Sequence, residues 1–281
     1  MSLLASISKH ACHGGELGYY QHPSAANACD MKFAVFSPPQ AAHGRVPVLY
    51  FLAGLTCTEE TFVTKACALE HAARHGLMLV APDTSPRVPL PGDRESWDFG
   101  IAAGFYLDAT ESPWSKHYRM YSYLVDELPG VIAANFSADT ARSGIFGHSM
   151  GGHGALTLAL KNPHRYRSLS AFAPIAAPIQ SPWGMKAFSG YLGAYRGAWS
   201  PYDATELVKS GSRFGSGILI DQGAADKFLA EQLKPGLFEA ACKATGQPLQ
   251  LNLREGYDHG YFFIQTFIAD HLDWHAARLK N

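Results

Sequence analysis

Ser143-Gly144-Ile145-Phe146-Gly147-His148-Ser149-Met150-Gly151-Gly152-His153-Gly154-Ala155-Leu156-Thr157-Leu158-Ala159-Leu160 is the stretch whose reading decides the fold. Its centre reads G-x-S-x-G. A short apolar run leads into the motif, and a run of small and apolar residues with helical character leaves it. A strand that turns sharply into a helix lifts the serine at the turn to the top of a sheet, where a substrate can reach it. Side chains at Gly147 and Gly151 would collide inside such a turn, so glycine suits both positions. The chemistry predicted for this serine is acyl transfer to water through a serine ester.

Outward from the turn, apolar runs of strand length alternate with helical stretches. Strands are predicted over Met31–Phe36, Val46–Leu52, Leu77–Ala81, Ser143–Phe146, Leu169–Ala173, Ile218–Asp221 and Leu249–Leu253. Helical spacing runs through Thr61–His75, through Tyr121–Asn135 with an interruption near Pro129-Gly130, and through Thr266–Leu279. Strand and helix in this order imply a mostly parallel central sheet with helices on both faces. Together with the serine turn, that is the α/β-hydrolase fold. Residues 1–281 read as one such domain. Two segments, 84–115 and 174–199, break the alternation and are rich in Pro, Gly and aromatics. They are expected to pass over the rim at the strands' carboxyl ends, where sites of such sheets lie.

Composition narrows the setting. The 281 residues carry a formal net charge of -1, with 47% hydrophobic and 12% aromatic residues, enough for a sizeable core. No Lys/Arg-rich block points to nucleic acid or an anionic membrane as partner. The first residues lack the basic start and apolar run of a signal peptide, and no window has the roughly 18 apolar residues that span a bilayer. Cys12, Cys29, Cys57, Cys67 and Cys242 are odd in number and form no C-x-x-C pair. Reduced thiols in a cytoplasmic protein are expected.

A serine nucleophile needs a histidine base and a carboxylate to orient it, following the serine in the order acid, then histidine. His259, in Gly256-Tyr257-Asp258-His259-Gly260, directly follows the last predicted strand. Of the later histidines, His153 sits one turn beyond Ser149, His164 falls in a surface loop, and His271 and His275 are expected as solvated residues of the terminal helix. The acid has two candidates. Asp221 ends a strand, and Asp226 sits in the loop beyond it, where it is free to turn back toward a histidine. The loop position favours Asp226. Asp258 is too close in sequence to His259 and reads as a turn residue. The oxyanion requires two backbone N–H groups. Met150 follows the nucleophile, and Leu55 in Leu52-Ala53-Gly54-Leu55-Thr56-Cys57 supplies the second.

Other features have plainer readings beside the functional ones. His71 and His75 have the i, i+4 spacing of zinc ligands, but Ala72 stands where a zincin has Glu, so two surface histidines are expected. Trp97 and Trp183 are either core or cleft aromatics, and their place on the two irregular segments favours the cleft. Cys57 is a buried small residue or a thiol beside the oxyanion loop.

The whole chain resembles the S-formylglutathione hydrolase, or esterase D, family. The blocks that carry the resemblance include Phe51-Leu52-Ala53-Gly54-Leu55-Thr56-Cys57-Thr58-Glu59, Ala81-Pro82-Asp83-Thr84-Ser85-Pro86-Arg87, Glu95-Ser96-Trp97-Asp98-Phe99-Gly100, Phe146–Ala155, Lys186–Gly193, Asp221-Gln222-Gly223 and Glu255–His259. The proline-rich run Arg87–Gly92 departs from it. The resemblance implies hydrolysis of S-formylglutathione to glutathione and formate, with Ser149 as nucleophile, Asp226 as acid and His259 as base, and it implies a homodimer. No metal or organic cofactor is called for. Glutathione is anionic, so a rim cation is expected. Lys186, Lys65 and Arg94 are the candidates, and the sequence does not choose among them. A general short-chain carboxylesterase and a non-catalytic binding protein of the same fold are the alternative readings.

Overall fold

Among the described residues nine strands form one sheet in the order β1-β2-β3-β5-β4-β6-β7-β8-β9. The computed structural model describes residues 4–93 and 96–280. The strands are β1 (Ala5–Cys12), β2 (Gly15–Ser24), β3 (Cys29–Ser37), β4 (Val46–Leu52), β5 (Met78–Pro82), β6 (Ala138–His148), β7 (Ser168–Phe172), β8 (Ile218–Gly223) and β9 (Leu249–Arg254). From β5 through β9 every pairing is parallel. Strands β1 to β3 add an antiparallel edge that joins through β5. This is the α/β-hydrolase fold.

The central strands β4, β5 and β7 are buried at every position, as expected for parallel strands covered on both faces. The helices are α1 (Glu59–Lys65), α2 (Leu69–His75), α3 (Met120–Ser122), α4 (Leu128–Asn135), α5 (Met150–Lys161), α6 (Pro182–Leu192), α7 (Ala204–Lys209), α8 (Pro235–Thr245) and α9 (Tyr261–Leu279). Helix α9 packs on β6, β7 and β8 and against α2, while α5 packs on β4, β6 and β7 and against α7. Among the described residues no helix is long and apolar enough to cross a membrane.

Several elements differ from the sequence-based expectation. The helical stretch Thr61–His75 is two helices. Thr58 caps the first with a reciprocal capping box, and Cys67, at φ 55°, breaks the run before the second. The interruption expected near Pro129 is instead a π-helical turn at Tyr123–Glu127, with Pro129 in the first turn of α4 where its missing N–H costs nothing. Helix α9 starts at Tyr261, not Thr266. The irregular segment 174–199 contains α6, capped by the Ser181 side chain on the Gly184 N–H.

His271 and His275 are not solvated. Both are fully buried between α9 and the sheet. His271 Nδ1 and His275 Nε2 each lie 2.8 Å from Ser170 Oγ, and His275 Nδ1 lies 2.6 Å from Ser168 Oγ. Ser168 and Ser170 share one face of β7 because strand side chains alternate. The two histidines share one face of α9 because they are four residues apart.

Candidate active site

Four loops at the carboxyl ends of parallel strands meet at one cavity. Gly54, Leu55, Thr56 and Cys57 follow β4, and Ser149 follows β6. Asp226 follows β8, and His259 follows β9. A cavity of about 200 Å³ is lined by Gly54, Leu55, Thr56, Cys57, Trp97, His148, Ser149, Trp183, Phe228, His259 and Tyr261.

Ser149 sits at φ 58°, ψ -119°, outside both the helical and the extended regions for an L-residue. Such a conformation costs on the order of 1–3 kcal/mol and persists only when its surroundings enforce it. Here the Ser149 N–H donates to the Phe172 carbonyl at 3.0 Å, and its carbonyl accepts from His153 and Ile175 at 3.0 and 3.2 Å. The glycines of the motif answer to the same crowding. A Cβ on Gly151 would overlap the Leu52 carbonyl, and one on Gly147 would overlap the Gly151 carbonyl. A Cβ on Gly54 would stand 3.2 Å from Ser149 Cβ.

Asp226 is buried at 5% exposure. Its Oδ2 accepts from His259 Nδ1 at 2.5 Å, and its Oδ1 accepts from the Phe228 N–H at 2.8 Å. An ionised carboxylate only accepts, so Nδ1 carries the proton and Nε2 is left with a lone pair. Asp221 has other partners. Asn252 and Arg254 donate to it at 2.7 to 3.0 Å, and His271 stands 3.7 Å away. Burial by itself would raise the Asp221 carboxyl, but the His271, Asn252 and Arg254 contacts outweigh it and hold it below its ordinary value.

The N–H groups of Leu55 and Met150 have no protein acceptor among the described residues. The Leu55 loop is fixed from behind. Tyr106 Oη donates to the Ala53 carbonyl at 2.8 Å, and the Thr56 N–H donates to the Ala102 carbonyl at 3.0 Å. The Cys57 carbonyl accepts from Thr84 Oγ1 at 2.6 Å and from Arg87 Nη2 at 3.0 Å. Arg87 in turn pairs with Asp83, which is only 2% exposed. Thr84, Arg87, Ala102 and Tyr106 therefore brace the loop that follows β4.

Trp97 and Trp183 both line the cavity, edge to face with centroids 5.5 Å apart. Trp97 stays 55% exposed at the mouth. Cys57 also lines it. Burial raises its thiol, only partly offset by hydrogen bonds from Thr61, Gly54 and Tyr261 and by the Lys65 charge. That is an environment for a thiol, not a thiolate nucleophile. Lys186 is not among the lining residues. Its ammonium is held by Asp98 at 2.5 Å and Ser96 at 2.6 Å, which ties α6 to the segment carrying Trp97. Arg94 lies outside the described residues. His75 is engaged by Asp273 at 2.5 Å.

The sequence reading did not find His148, Phe228 or Tyr261. Each adjoins or nearly adjoins a residue it did find, and neighbouring position was the available signal. His148 is buried, neither ring nitrogen has a hydrogen-bond partner among the described residues, and its ring centroid is 4.5 Å from that of His259. Burial, joined by His259, pushes its imidazole well below the ordinary value, so it stays neutral. His153, also buried, faces away from the cavity and contacts the Phe105 carbonyl at 3.0 Å.

A protein-family model described as "Putative esterase" matches residues 24–274. The S-formylglutathione hydrolase of Mus musculus is 55% identical over 279 residues, 99% of each chain. That of Paracoccus denitrificans is 50% identical over 274 residues, 98% of each chain. Among solved structures, an S-formylglutathione hydrolase from Agrobacterium tumefaciens superposes with a TM-score of 0.96 at 52% identity, covering 98% of this chain and 99% of that one.

Proposed function

The chain belongs to the S-formylglutathione hydrolase family of esterases, and on that premise we propose that it hydrolyses S-formylglutathione to glutathione and formate through an acyl-enzyme on Ser149. The observation that carries this reading is end-to-end similarity to relatives of that name, at 50–55% identity. The cavity supports it, since about 200 Å³ walled by Trp97, Trp183 and Phe228 suits a very small acyl group.

In the proposed mechanism Ser149 Oγ attacks the formyl carbon while His259 Nε2 takes its proton. Asp226 keeps Nδ1 protonated and stabilises the imidazolium that forms. The N–H groups of Leu55 and Met150 hold the oxyanion. The tetrahedral intermediate collapses by breaking the C–S bond. A thiol's reference pKa is about 8.5, so glutathione leaves readily as thiolate and takes up a proton from the imidazolium. Water then attacks the formyl ester with His259 again as base, and formate departs as Ser149 regains its proton. Short-chain esters are proposed as secondary substrates. We further propose that residues 1–281 act as one catalytic domain, as a homodimer in the cytoplasm, where the five free cysteines would stay reduced.

The deciding experiment compares kcat/KM for S-formylglutathione with that for 4-nitrophenyl acetate. The thioester should be the far better substrate. Equal or lower efficiency on it removes the glutathione assignment and leaves a general esterase. Ser149→Ala should lose both turnover and labelling by a fluorophosphonate. Light scattering reads the oligomeric state.

A further inference from the structure

Among the described residues no Lys, Arg, Asp or Glu lines the cavity. Its volume of about 200 Å³ also falls short of the roughly 300 Å³ at which pockets begin to enclose drug-sized ligands. A tripeptide thioester can therefore place only its reacting centre inside. Its two ends, the γ-glutamyl α-carboxylate and the glycine carboxylate, must lie on the surrounding surface. The cations there decide how the tripeptide is read.

Two lysines stand over rings that line the cavity. Lys65 Nζ lies over the Tyr261 ring at 5.9 Å, and Lys227 Nζ lies over the Phe228 ring at 5.0 Å. The four rings between them form a contact row. Tyr261 meets His148 at 6.0 Å, His148 meets His259 at 4.5 Å, and His259 meets Phe228 at 5.2 Å. The two ammonium groups thus stand over the first and last rings of this contact series, which includes the proposed base. Both lysines are exposed, and neither has an ion-pair partner among the described residues. Lys186, by contrast, is already held by Asp98.

We infer that Lys65 and Lys227 bind the two carboxylates of a glutathione thioester, one at each end of the Tyr261–His148–His259–Phe228 row, with the reacting carbon over Ser149. This rests on the proposed function. The order of the groups suits the ligand, because the sulfur of glutathione lies in the middle residue and the carboxylates lie to either side. An exposed ammonium over a half-buried aromatic ring is held weakly and retains the freedom to swing onto an incoming carboxylate. The ammonium gives up little and the pair stays solvated. Each contact is then an exposed ion pair, contributing at most about a fivefold change in binding.

The test uses Lys65→Met, Lys227→Met and the double variant, with S-formylglutathione, its diethyl ester and 4-nitrophenyl acetate as substrates. Each single change should raise KM for S-formylglutathione about threefold, and the pair about tenfold, with the loss in KM and not in kcat. The ratio of kcat/KM for S-formylglutathione to that for the acetate should fall by the same factor. The wild-type preference for the free diacid over the diethyl ester should shrink in the double variant, and so should the dependence of KM on salt. The inference is overturned if the double variant keeps a KM within about twofold of wild type, or if both substrates lose equally. Wild-type protein that fails to turn over S-formylglutathione at all defeats the proposed function. Turnover that ignores both lysines defeats only this inference.

Discussion

Asp221 and Asp226 lie on the same strand-loop unit yet face different partners. Asp226 touches His259 Nδ1, whereas Asp221 anchors Arg254 and Asn252 of β9. Replacing Asp226 with Asn keeps its size but turns the histidine toward the wrong tautomer. kcat should drop by about 10⁴, with thermal stability nearly unchanged. Replacing Asp221 with Asn removes a charged acceptor from a buried network and should cost about 2 kcal/mol of stability, a fall in Tm of about 4 °C. Its kcat should fall far less. Should Asp221→Asn lose as much kcat as Asp226→Asn, the division of roles is wrong. The sequence separates these residues only because a strand-end side chain is fixed in direction while a loop side chain is not. Ser149 and His259 are legible for a stronger reason, since motif and strand order restrict both. Phe228 and Tyr261 are legible only by their places two residues beyond Asp226 and His259, because an aromatic there carries no further pattern that tells wall from core.

At the scale of elements, the proposed oxyanion loop after β4 is a short segment held by its neighbours. Arg87 spans the buried Asp83 carboxylate and the Cys57 carbonyl. Arg87→Met should leave Asp83 uncompensated, costing about 3 kcal/mol, and should let the loop relax away from Ser149, lowering kcat about ten- to hundredfold. Adding Asp83→Asn removes the orphaned charge. Stability should then return while kcat stays low. If kcat recovers together with stability, the hold on Cys57 contributes nothing to turnover. The same loops mark what sequence periodicity can reach. Strands buried on both faces, such as β4 and β7, announce themselves as apolar runs. Strand β1 is Ala5-Ser6-Ile7-Ser8-Lys9-His10-Ala11-Cys12 with no fully buried position, so it offers no such run and goes unpredicted. Helix α6 hides for another reason. Its Pro182, Trp183, Gly184 and Gly190 look like loop composition, and its stability comes from the Ser181 cap and from tertiary packing.

Across the whole molecule, buried titratable groups set how stability responds to acid. Burial lowers the imidazoles of His22, His148, His271 and His275, and lowers His153 to about 4. A histidine depressed in the folded state is neutral in both states above its unfolded value of about 6.5. Below that, the unfolded chain binds a proton that the folded chain refuses, so stability falls as pH drops toward the folded value. For His153 the window runs from about 6.5 to about 4, worth on the order of 3 kcal/mol at about 1.4 kcal/mol per unit. Asp203 works in the other direction. Burial raises it to about 6, so the folded state takes up a proton before the unfolded state does, and acidification through that range stabilises. Glu59, raised by burial and by Asp83, has the same sign. Asp203 and His153 nearly cancel, which leaves four histidines of one sign against Glu59 alone. Tm should therefore fall as pH is lowered from about 6.5 to about 4.5. Asp203→Asn removes a stabilising response to acid, so it should steepen that fall, and differential scanning calorimetry across the range reads both slopes. A flat or rising Tm in the wild type, or an unchanged slope in Asp203→Asn, would mean that the buried histidines find solvent or partners as the protein acidifies and that the sheet–helix interface around Ser168 and Ser170 is looser than its hydrogen bonds require.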